Sequence, residues 1–308
     1  MTLNPEKSVL VYDVGGSHIA AAVCHADKYR LGPVVSVPHP AVETSDAFLD
    51  ALHALGVKAS SGLEAVSGAE FAFPGPFDFA VGISWMKHKL PFLYGIDLRK
   101  ELADRFGWRP AQLRFLKDSD AFLLGEIGDG AARGVERAVG ITLGTGIGSA
   151  FAVDGHIVTG GVGVPPGGEI WDLPYEGGII EDSVSTRAIK GSYERRTGVA
   201  REVAELAKLV AVDSAAAEAF EEFGKHLGIA LRGALAAFAP QVIVLGGGIS
   251  RSPQLFLPAA QRELAGMNAE FRVSTLLDDA PLVGAGVAWF HHVGASEPIG
   301  DATQVIAD

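Results

Sequence analysis

The sequence predicts an α/β fold built from two similar halves. Its 308 residues exceed the size of one ordinary small domain, and nearly half of them are hydrophobic, which is enough for a sizeable core. An apolar strand, a glycine turn and a second strand occur twice, around Asp13 and around Gly144. This weak internal repeat indicates two half-molecules of similar design.

Charge and cysteine content limit the classes of protein that fit. The formal net charge is −12, and Cys24 is the one cysteine. An acidic surface repels nucleic acid phosphates and anionic lipids, so we expect neither a nucleic acid nor a membrane as partner. A single thiol forms no internal disulfide, which fits a reducing cytoplasm. The sequence has no signal-peptide pattern and no apolar run long enough to span a membrane.

Apolar runs and glycine stops predict the elements of the first half. Residues 8–14 read as a buried strand, and residues 19–25 return antiparallel after Gly15 and Gly16. A helix over 45–55 follows, with Thr44 or Ser45 as its cap, and a helix over 98–106 stops at Gly107. The next strand, LRFLKDSD, carries acidic residues at its carboxyl end.

The second half begins with the repeated strand and turn and then becomes more helical. RAVGITLGTGIG is a strand that runs into a glycine turn, and residues 149–153 return. Large apolar residues from Phe220 to Phe238 recur at helical spacing up to Pro240. QVIVL is a strand that enters three glycines, and PLVGAGVAWFHHV is a terminal helix.

Three strands therefore end in glycine-rich turns: DVGGSH, LGTGIG and LGGG. Clusters of backbone N–H groups in such turns cradle phosphate oxygens, although any one of them is also an ordinary tight turn. Three of them, each after an apolar strand, favour a nucleotide site. No GxxxxGK[ST] occurs, which excludes a P-loop, and GTGIG is followed by a strand rather than a helix, which disfavours a dinucleotide fold.

The motifs, in this order, resemble the ROK family (repressor, open reading frame, kinase), which includes bacterial glucokinases. DVGGSHIAAAV and LGTGIGSAFAVDGHIVTG resemble its two phosphate motifs, and FAFPGPFD its PGP segment. LKDSDAFLLGE resembles NDANAAALGE, and VIVLGGGIS the adenosine motif. The resemblance implies the two-lobed, actin-like ATPase fold of hexokinase, which is ribonuclease H-like. It places a small α/β lobe at 1–118, completed by a C-terminal helix over about 284–308, and a larger α/β lobe at 119–283.

The resemblance implies roles for individual residues in an ATP-dependent phosphorylation of a hexose hydroxyl. Asp118 matches the Asp of the family's ND pair and is expected to be the general base, because a sugar hydroxyl needs a carboxylate to accept its proton. Asp120 suits the cap of the following helix better. Asp13 is expected to hold Mg²⁺ through water. The residues expected to contact ATP are Asp13, Gly15, Gly16, Ser17, Gly144, Thr145, Gly146, Gly246, Gly247 and Gly248.

Sugar binding is expected from two glutamates and from the catalytic segment. Glu169 lies in GGEIWDL, which resembles GEIGH, and Glu181 lies in GGIIEDSVS, which resembles GCLE…S. Carboxylates accept hydrogen bonds from sugar hydroxyls. Lys117 and Asp172 depart from the pattern, because they replace an Asn and a His, and Lys117 could pair with Asp172 or Glu169. Glucose is the default substrate, with another hexose, an amino sugar or a sugar derivative as alternatives.

The family's zinc motif is missing, since Ile179 stands where a cysteine would be. We therefore expect no structural zinc, and expect the loop to be held by packing of Trp171, Pro174 and Tyr175. Trp171 is either such an anchor or a stacking platform for a sugar ring, and His18 is expected to be structural.

Two other functions compete with the kinase. A sugar-responsive repressor of this family needs a helix-turn-helix before the first phosphate motif, for which the position of Asp13 leaves no room. Lys117 and Asp172 leave a catalytically silent sugar sensor as an alternative, whereas Asp118 and the glycine turns argue against it. A homodimer is expected by resemblance.

Overall fold

The computed structural model describes residues 7–16, 18–39, 42–61 and 66–291. By its internal contacts the chain divides into two compact units, and the α/β class predicted from the sequence is confirmed. The first unit comprises Met1–Ala121 with Pro281–Asp308, and the second comprises Phe122–Ala280, as far as these ranges are described. The lobe boundaries inferred from the resemblance stay a prediction.

The first unit contains a six-stranded sheet. Its strands are β1 (Ser8–Val14), β2 (His18–His25), β3 (Arg30–Leu31), β4 (Val35–Pro38), β5 (Ala69–Phe73) and β8 (Leu113–Lys117). The order is β3-β2-β1-β5-β8, and β4 also pairs with β2. β1 runs antiparallel to β2 and parallel to β5, as β5 does to β8. Every residue of β1 is buried, which explains its uninterrupted apolar run.

Short pieces and helices complete the first unit. They are α1 (Ser45–Ala59), the hairpin of β6 (Phe77–Asp78) and β7 (Ile83–Ser84), α2 (Leu98–Phe106) and α9 (Ala280–His291). Thr44 caps α1 by accepting from Ala47 N, and Gly107 ends α2 with a φ of 65°. The helix predicted over 45–55 continues to Ala59. A glycine is required at position 56 of this helix, because a Cβ there would lie only 1.9 Å from the Tyr12 hydroxyl.

The second unit repeats the arrangement of the first sheet. It contains β9 (Arg137–Leu143), β10 (Ile147–Val153), β11 (His156–Ile157), β14 (Val242–Gly246) and β15 (Glu270–Val273), in the order β11-β10-β9-β14-β15. β9 is antiparallel to β10 and parallel to β14, as β14 is to β15. Each unit thus has an antiparallel hairpin followed by parallel strands, which confirms the internal repeat.

Helices cover the second sheet. α3 (Asp118–Asp129) leads into this unit, and the hairpin of β12 (Pro174–Tyr175) and β13 (Gly178–Ile179) precedes α4 (Ile180–Ser183). α5 (Thr186–Thr197), α6 (Val203–Leu209), α7 (Ser214–Leu235) and α8 (Leu257–Glu263) follow. Ser185 caps α5 and Asp213 caps α7. α7 stops at Leu235, five residues before the predicted stop at Pro240, and its apolar face joins the main core of the unit.

Among the helices of the described residues, none combines the length and the apolar character that a bilayer crossing requires. The terminal helix predicted from PLVGAGVAWFHHV is present as α9 up to His291, and the remainder of the expected 284–308 helix lies outside the described residues.

Candidate functional site

Parallel pairing in the first unit brings the ends of three strands to one edge of the sheet. Asp13 pairs with Ala72, and Phe73 pairs with Lys117, so the acidic end of β1 and the Lys117–Asp118 pair lie along the same carboxyl edge. In open α/β sheets ligands bind outside the carboxyl ends of parallel strands. The predicted base and the predicted metal ligand are therefore at one edge.

The first glycine turn joins β1 to β2 beside Asp13. Gly15 N donates to His18 O at 3.0 Å, which closes the turn, and Gly16 is exposed with open space where a Cβ would stand. Asp13 is largely buried, and its Oδ2 lies 3.9 Å from His18 Nε2. The structural role expected for His18 stays a prediction. Ser17, the predicted phosphate contact, lies outside the described residues.

Asp118 is the first residue of α3, and this changes the role expected for Asp120. Ser119 N donates to Asp118 Oδ1 at 2.7 Å, and Asp120 lies inside the first helical turn. The predicted cap role of Asp120 is therefore wrong, because the helix begins two residues before it. Asp120 Oδ1 instead lies 3.3 Å from Nζ of Lys117. The ammonium expected to pair with Asp172 or Glu169 thus has a partner within its own unit.

Residues of α4 and α5 form hydrogen bonds with the second glycine turn, which joins β9 to β10. Gly144 N donates to Gly146 O at 2.9 Å, and the backbone N and Oγ1 of Thr186 both donate to Gly144 O at 2.8 Å. Ile147 N donates to Glu181 Oε2 at 3.2 Å. Thr145 at the tip is exposed. The turn is thus a hydrogen-bonded loop with an exposed tip, and glycine-rich loops of this kind can bind phosphate oxygens.

Trp171 links the two predicted sugar glutamates, and Glu181 in turn accepts from Ile147 N beside the second glycine turn. The Trp171 indole donates to Glu169 Oε2 at 2.9 Å, and Glu181 N donates to Trp171 O at 3.0 Å. Both glutamates are half-buried, whereas Asp172 is exposed. The structure of the second unit therefore brings Glu169, Glu181 and the Gly144–Gly146 turn together through hydrogen bonds.

Two supporting residues were missed in the sequence. Ser149 is buried in β10, where its hydroxyl donates to Gly168 O at 2.7 Å and accepts from Ile170 N at 3.1 Å, which fixes the backbone on both sides of Glu169. Glu126 is buried in α3 and accepts from Ala131 N at 2.6 Å and from Leu276 N at 3.3 Å. In the sequence, the one mark of Ser149 or Glu126 is that a polar residue stands within an apolar run.

The third glycine turn leaves the same edge of the second sheet as the Gly144 turn, because Gly246 pairs with Thr142. Gly246 itself is buried, and a Cβ there would come within 2.3 Å of the Phe122 ring. Gly247 has a φ of 82° and lies against Leu143 O, whereas Gly248 is exposed with open space around it. Gly247 and Gly248 are thus the exposed part of the predicted adenosine motif.

The loop without the zinc motif is held by Tyr175. Tyr175 packs against the main core of the unit, whereas Trp171 is 38% exposed and Pro174 is exposed. Of the three expected anchors, the packing confirms Tyr175 only. Among the residues that the structure describes, no three His, Cys, Asp or Glu side chains form a group suited to a metal ion.

The sequence model of the ROK family matches residues 9–292. The chain is similar to a glucokinase of Thermotoga maritima, with 30% identity over 246 residues that cover 69% of this chain and 75% of that protein. It is 26% identical over 273 residues to an N-acetyl-D-glucosamine kinase of Photobacterium profundum, covering 82% and 87% of the two chains.

A solved structure shares the fold. The ROK hexokinase of Thermus thermophilus superposes with a TM-score of 0.76 and 28% identity, over 92% of this chain and 99% of that one. This likeness confirms the actin-like α/β class expected from the motifs. Because the family match extends over nearly the whole chain, this protein belongs to the ROK family.

Proposed function

We propose that this protein transfers the terminal phosphoryl group of ATP to a hydroxyl of a hexose, glucose or a related sugar, with Asp118 as general base. The observation that carries the proposal is the position of Asp118, at the first residue of α3 and on the carboxyl edge that also holds Asp13 and the first glycine turn. A carboxylate at such an edge suits proton abstraction from a bound hydroxyl.

The names of the relatives support the broader statement that the protein phosphorylates a sugar. The protein is a sugar kinase of the ROK family, since its relatives are named as glucokinase, N-acetyl-D-glucosamine kinase and ROK hexokinase. The sugar itself belongs to the proposal, because those names cover more than one sugar.

In the proposed reaction, the sugar hydroxyl oxygen forms a bond to the γ-phosphorus and the bond from that phosphorus to the bridging oxygen of ADP breaks. The hydroxyl proton passes to the Asp118 carboxylate. Such a transfer leaves little covalent chemistry to the protein, so positioning and charge stabilisation supply most of the catalysis. Lys117, adjacent to the base, is held by Asp120 and adds positive charge at the same edge.

The nucleotide side of the proposal uses the glycine turns. Exposed backbone at Gly16, at Thr145 and at Gly248 supplies N–H groups for phosphate and adenosine contacts. The Asp13 carboxylate is of the hard oxygen type that Mg²⁺ prefers, and the ion would neutralise charge on the phosphates when bound with ATP. We include a homodimer and a cytoplasmic location in the proposal, as the sequence predicts.

The sugar side of the proposal uses Glu169 and Glu181. Their half-buried carboxylates are oriented by hydrogen bonds to the Trp171 indole and to Ile147 N, so each retains a defined geometry for accepting from sugar hydroxyls. Asp172, by its exposure, is a weaker candidate for a sugar contact than either glutamate.

A panel of sugars tests this function. The purified protein would be incubated with ATP and Mg²⁺ and with glucose, mannose, fructose, N-acetylglucosamine, N-acetylmannosamine or glucosamine, and ADP release would be measured. We expect sugar-dependent ADP release for at least one of them. Sugar binding by calorimetry without any ADP release would favour the silent sensor, and neither binding nor turnover on the whole panel would contradict the proposal.

A further inference from the structure

The hairpin of β12 and β13 carries a feature that its sequence does not explain. Its two turn residues, Glu176 and Gly177, have φ values of 48° and 82°. Such a turn suits the twist of a two-residue hairpin, but the left-handed region costs a residue other than glycine roughly 1–2 kcal/mol. A glutamate at this position is therefore expected to make contacts that offset the cost.

Those contacts are made to helix α7. The Tyr175 hydroxyl lies 2.8 Å from His226 Nδ1, and the Glu176 carboxylate lies 3.5 Å from the same nitrogen. The Tyr175 and His226 rings meet edge to face, with 5.7 Å between their centroids. Burial, and then the Glu176 charge, raise the pKa of Tyr175 to about 12, so the hydroxyl stays protonated in its hydrogen bond with Nδ1. We call Tyr175, Glu176 and His226 the hairpin latch.

Two residues of the hairpin latch, Glu176 and His226, line a cavity of about 250 Å³. Residues of α4, α5 and α7 complete its lining, among them the charged side chains of Arg195 and Glu222. Because this space is not filled by apolar side chains, the hairpin gains less from packing there, and specific polar contacts matter more for its position.

The base of the hairpin leads directly to the predicted sugar ligands. Ile180 N donates to Leu173 O at 3.0 Å, and the next hydrogen bond outward joins Glu181 N to Trp171 O. Trp171 in turn orients Glu169, and Glu181 accepts from Ile147 N. A change in the register or tilt of the hairpin therefore moves both glutamates and loosens the second glycine turn.

We propose that His226 is a positioning residue for the sugar site, which acts through Tyr175 and Glu176 to hold the hairpin that sets Glu169 and Glu181. This inference rests on the proposed function, because it takes the two glutamates as sugar ligands. In this chain, Tyr175, Glu176 and His226 hold a loop that lacks the cysteines expected from the family motif.

The test compares two tyrosine hydroxyls. Tyr175→Phe removes the hydroxyl of the hairpin latch, and Tyr193→Phe is the matched control, because the Tyr193 hydroxyl donates to Asp213 Oδ2 at 2.8 Å in the same unit but away from the hairpin. We expect Tyr175→Phe to raise KM for the sugar about tenfold, which is the effect of one lost hydrogen bond, with kcat within about twofold. KM for ATP should rise less than KM for the sugar, because Thr186 still holds Gly144 of the second glycine turn. Tyr193→Phe should lower Tm without changing KM.

Two variants at position 226 sharpen the comparison. His226→Leu should reproduce the KM effect of Tyr175→Phe, and His226→Asn, whose side chain retains a polar atom near the place of Nδ1, should recover part of it. Combining Tyr175→Phe with His226→Leu should add little to His226→Leu alone, because the histidine variant already removes the contact between Tyr175 and His226. Unchanged KM in the folded Tyr175→Phe and His226→Leu proteins, or equal KM changes in Tyr175→Phe and Tyr193→Phe, would overturn the inference.

Hydrogen exchange separates this inference from the proposed function. If the wild-type protein phosphorylates no sugar, the proposed function fails, and the amides of Glu181 and Ile147 still report on the hairpin. Faster exchange of these two amides in Tyr175→Phe than in Tyr193→Phe would support the hairpin latch as the support of this segment. Equal exchange in the two variants would end that assignment as well.

Discussion

Lys117 Nζ lies 3.3 Å from Asp120 Oδ1, and the residue that directly follows this lysine is the predicted base, Asp118. The Lys117 and Asp120 side chains are only 9% and 16% exposed. Partial burial weakens solvent screening, so a charge pair here is stronger than one on the surface. The pair holds an ammonium and a carboxylate in fixed places on either side of Asp118 in the sequence.

Asp118→Asn should slow phosphoryl transfer strongly while the protein stays folded. The amide keeps an oxygen that can accept from Ser119 N but cannot take up the hydroxyl proton, so kcat should fall by about 10²–10⁴. Steady-state ADP release with the best sugar measures this loss, and circular dichroism checks folding.

Asp129→Asn is the control for this experiment. Asp129 ends the same helix, is exposed, and pairs with Arg133 at 3.8 Å, so its loss should leave kcat unchanged. An Asp118→Asn protein with more than about a tenth of wild-type kcat would contradict the general-base role.

A double-mutant cycle should reveal the coupling of Lys117 and Asp120. Lys117→Met removes the ammonium but keeps the length of the side chain, and it should lower the free energy of unfolding by about 1–3 kcal/mol because the Asp120 carboxylate loses this cation. Urea unfolding of Lys117→Met, Asp120→Asn and the double variant measures the effect. The double variant should lose less than the sum of the two single changes. Additive losses would mean that the pair contributes nothing to stability.

Two glycine substitutions should separate folding from activity. Gly247→Ala places a Cβ 2.4 Å from Leu143 O at a φ of 82°, so it should lower the free energy of unfolding by about 2 kcal/mol or more.

Gly146→Ala meets the end of the Glu181 side chain at 2.1 Å, and that side chain can rotate away. Gly146→Ala should therefore cost less than about 1 kcal/mol in stability but break the Glu181–Ile147 hydrogen bond and lower kcat/KM. Denaturant unfolding and turnover of both proteins check this contrast, which an equal loss of stability would refute.

Glu70 should give the protein a stability that falls with rising pH. Glu70 is buried in β5, its Oε2 lies 3.0 Å from Arg114 Nε, and burial raises the pKa of Glu70 to about 8 against the opposing effect of Arg114. Between about pH 5 and 8 the folded protein then binds one proton more than the unfolded chain. The contribution of Glu70 to the free energy of unfolding therefore decreases by up to about 1.4 kcal/mol per pH unit between pH 5 and 8, and it levels off above pH 8.

The difference between wild type and Glu70→Gln isolates this titration. Arg114 keeps its other contacts in the variant, to Ala288 O at 2.9 Å and to the Trp289 ring at 4.8 Å. Chemical unfolding of both proteins from pH 5 to 8 should show the stability of the wild type falling relative to the variant. A relative stability that rises with pH would mean that the Arg114 ion pair depresses the pKa of Glu70 instead.

Local patterns were sufficient for most of the strands and several helices. The apolar run of β1 and the glycine after α2 were identified correctly, because burial on both faces and a left-handed stop leave plain marks in a sequence. The start of α3 at Asp118 was not identified, since Asp118, Ser119 and Asp120 are all of residue types that cap helices. The reason for a glycine inside α1, at position 56, lies in Tyr12, a residue on a strand far away in the sequence.

The sequence by itself determined the family, the repeated order of strands and glycine turns, and the residue types available for catalysis. Those features reside in short motifs whose physical requirements are local, such as positive φ, alternation and capping. Only the tertiary structure decided that Lys117 pairs with Asp120, that Glu181 supports the second glycine turn, and that His226 holds the hairpin. Each of these contacts depends on where packing places side chains from separate turns or elements. The spacing of residues along the chain does not reveal those positions.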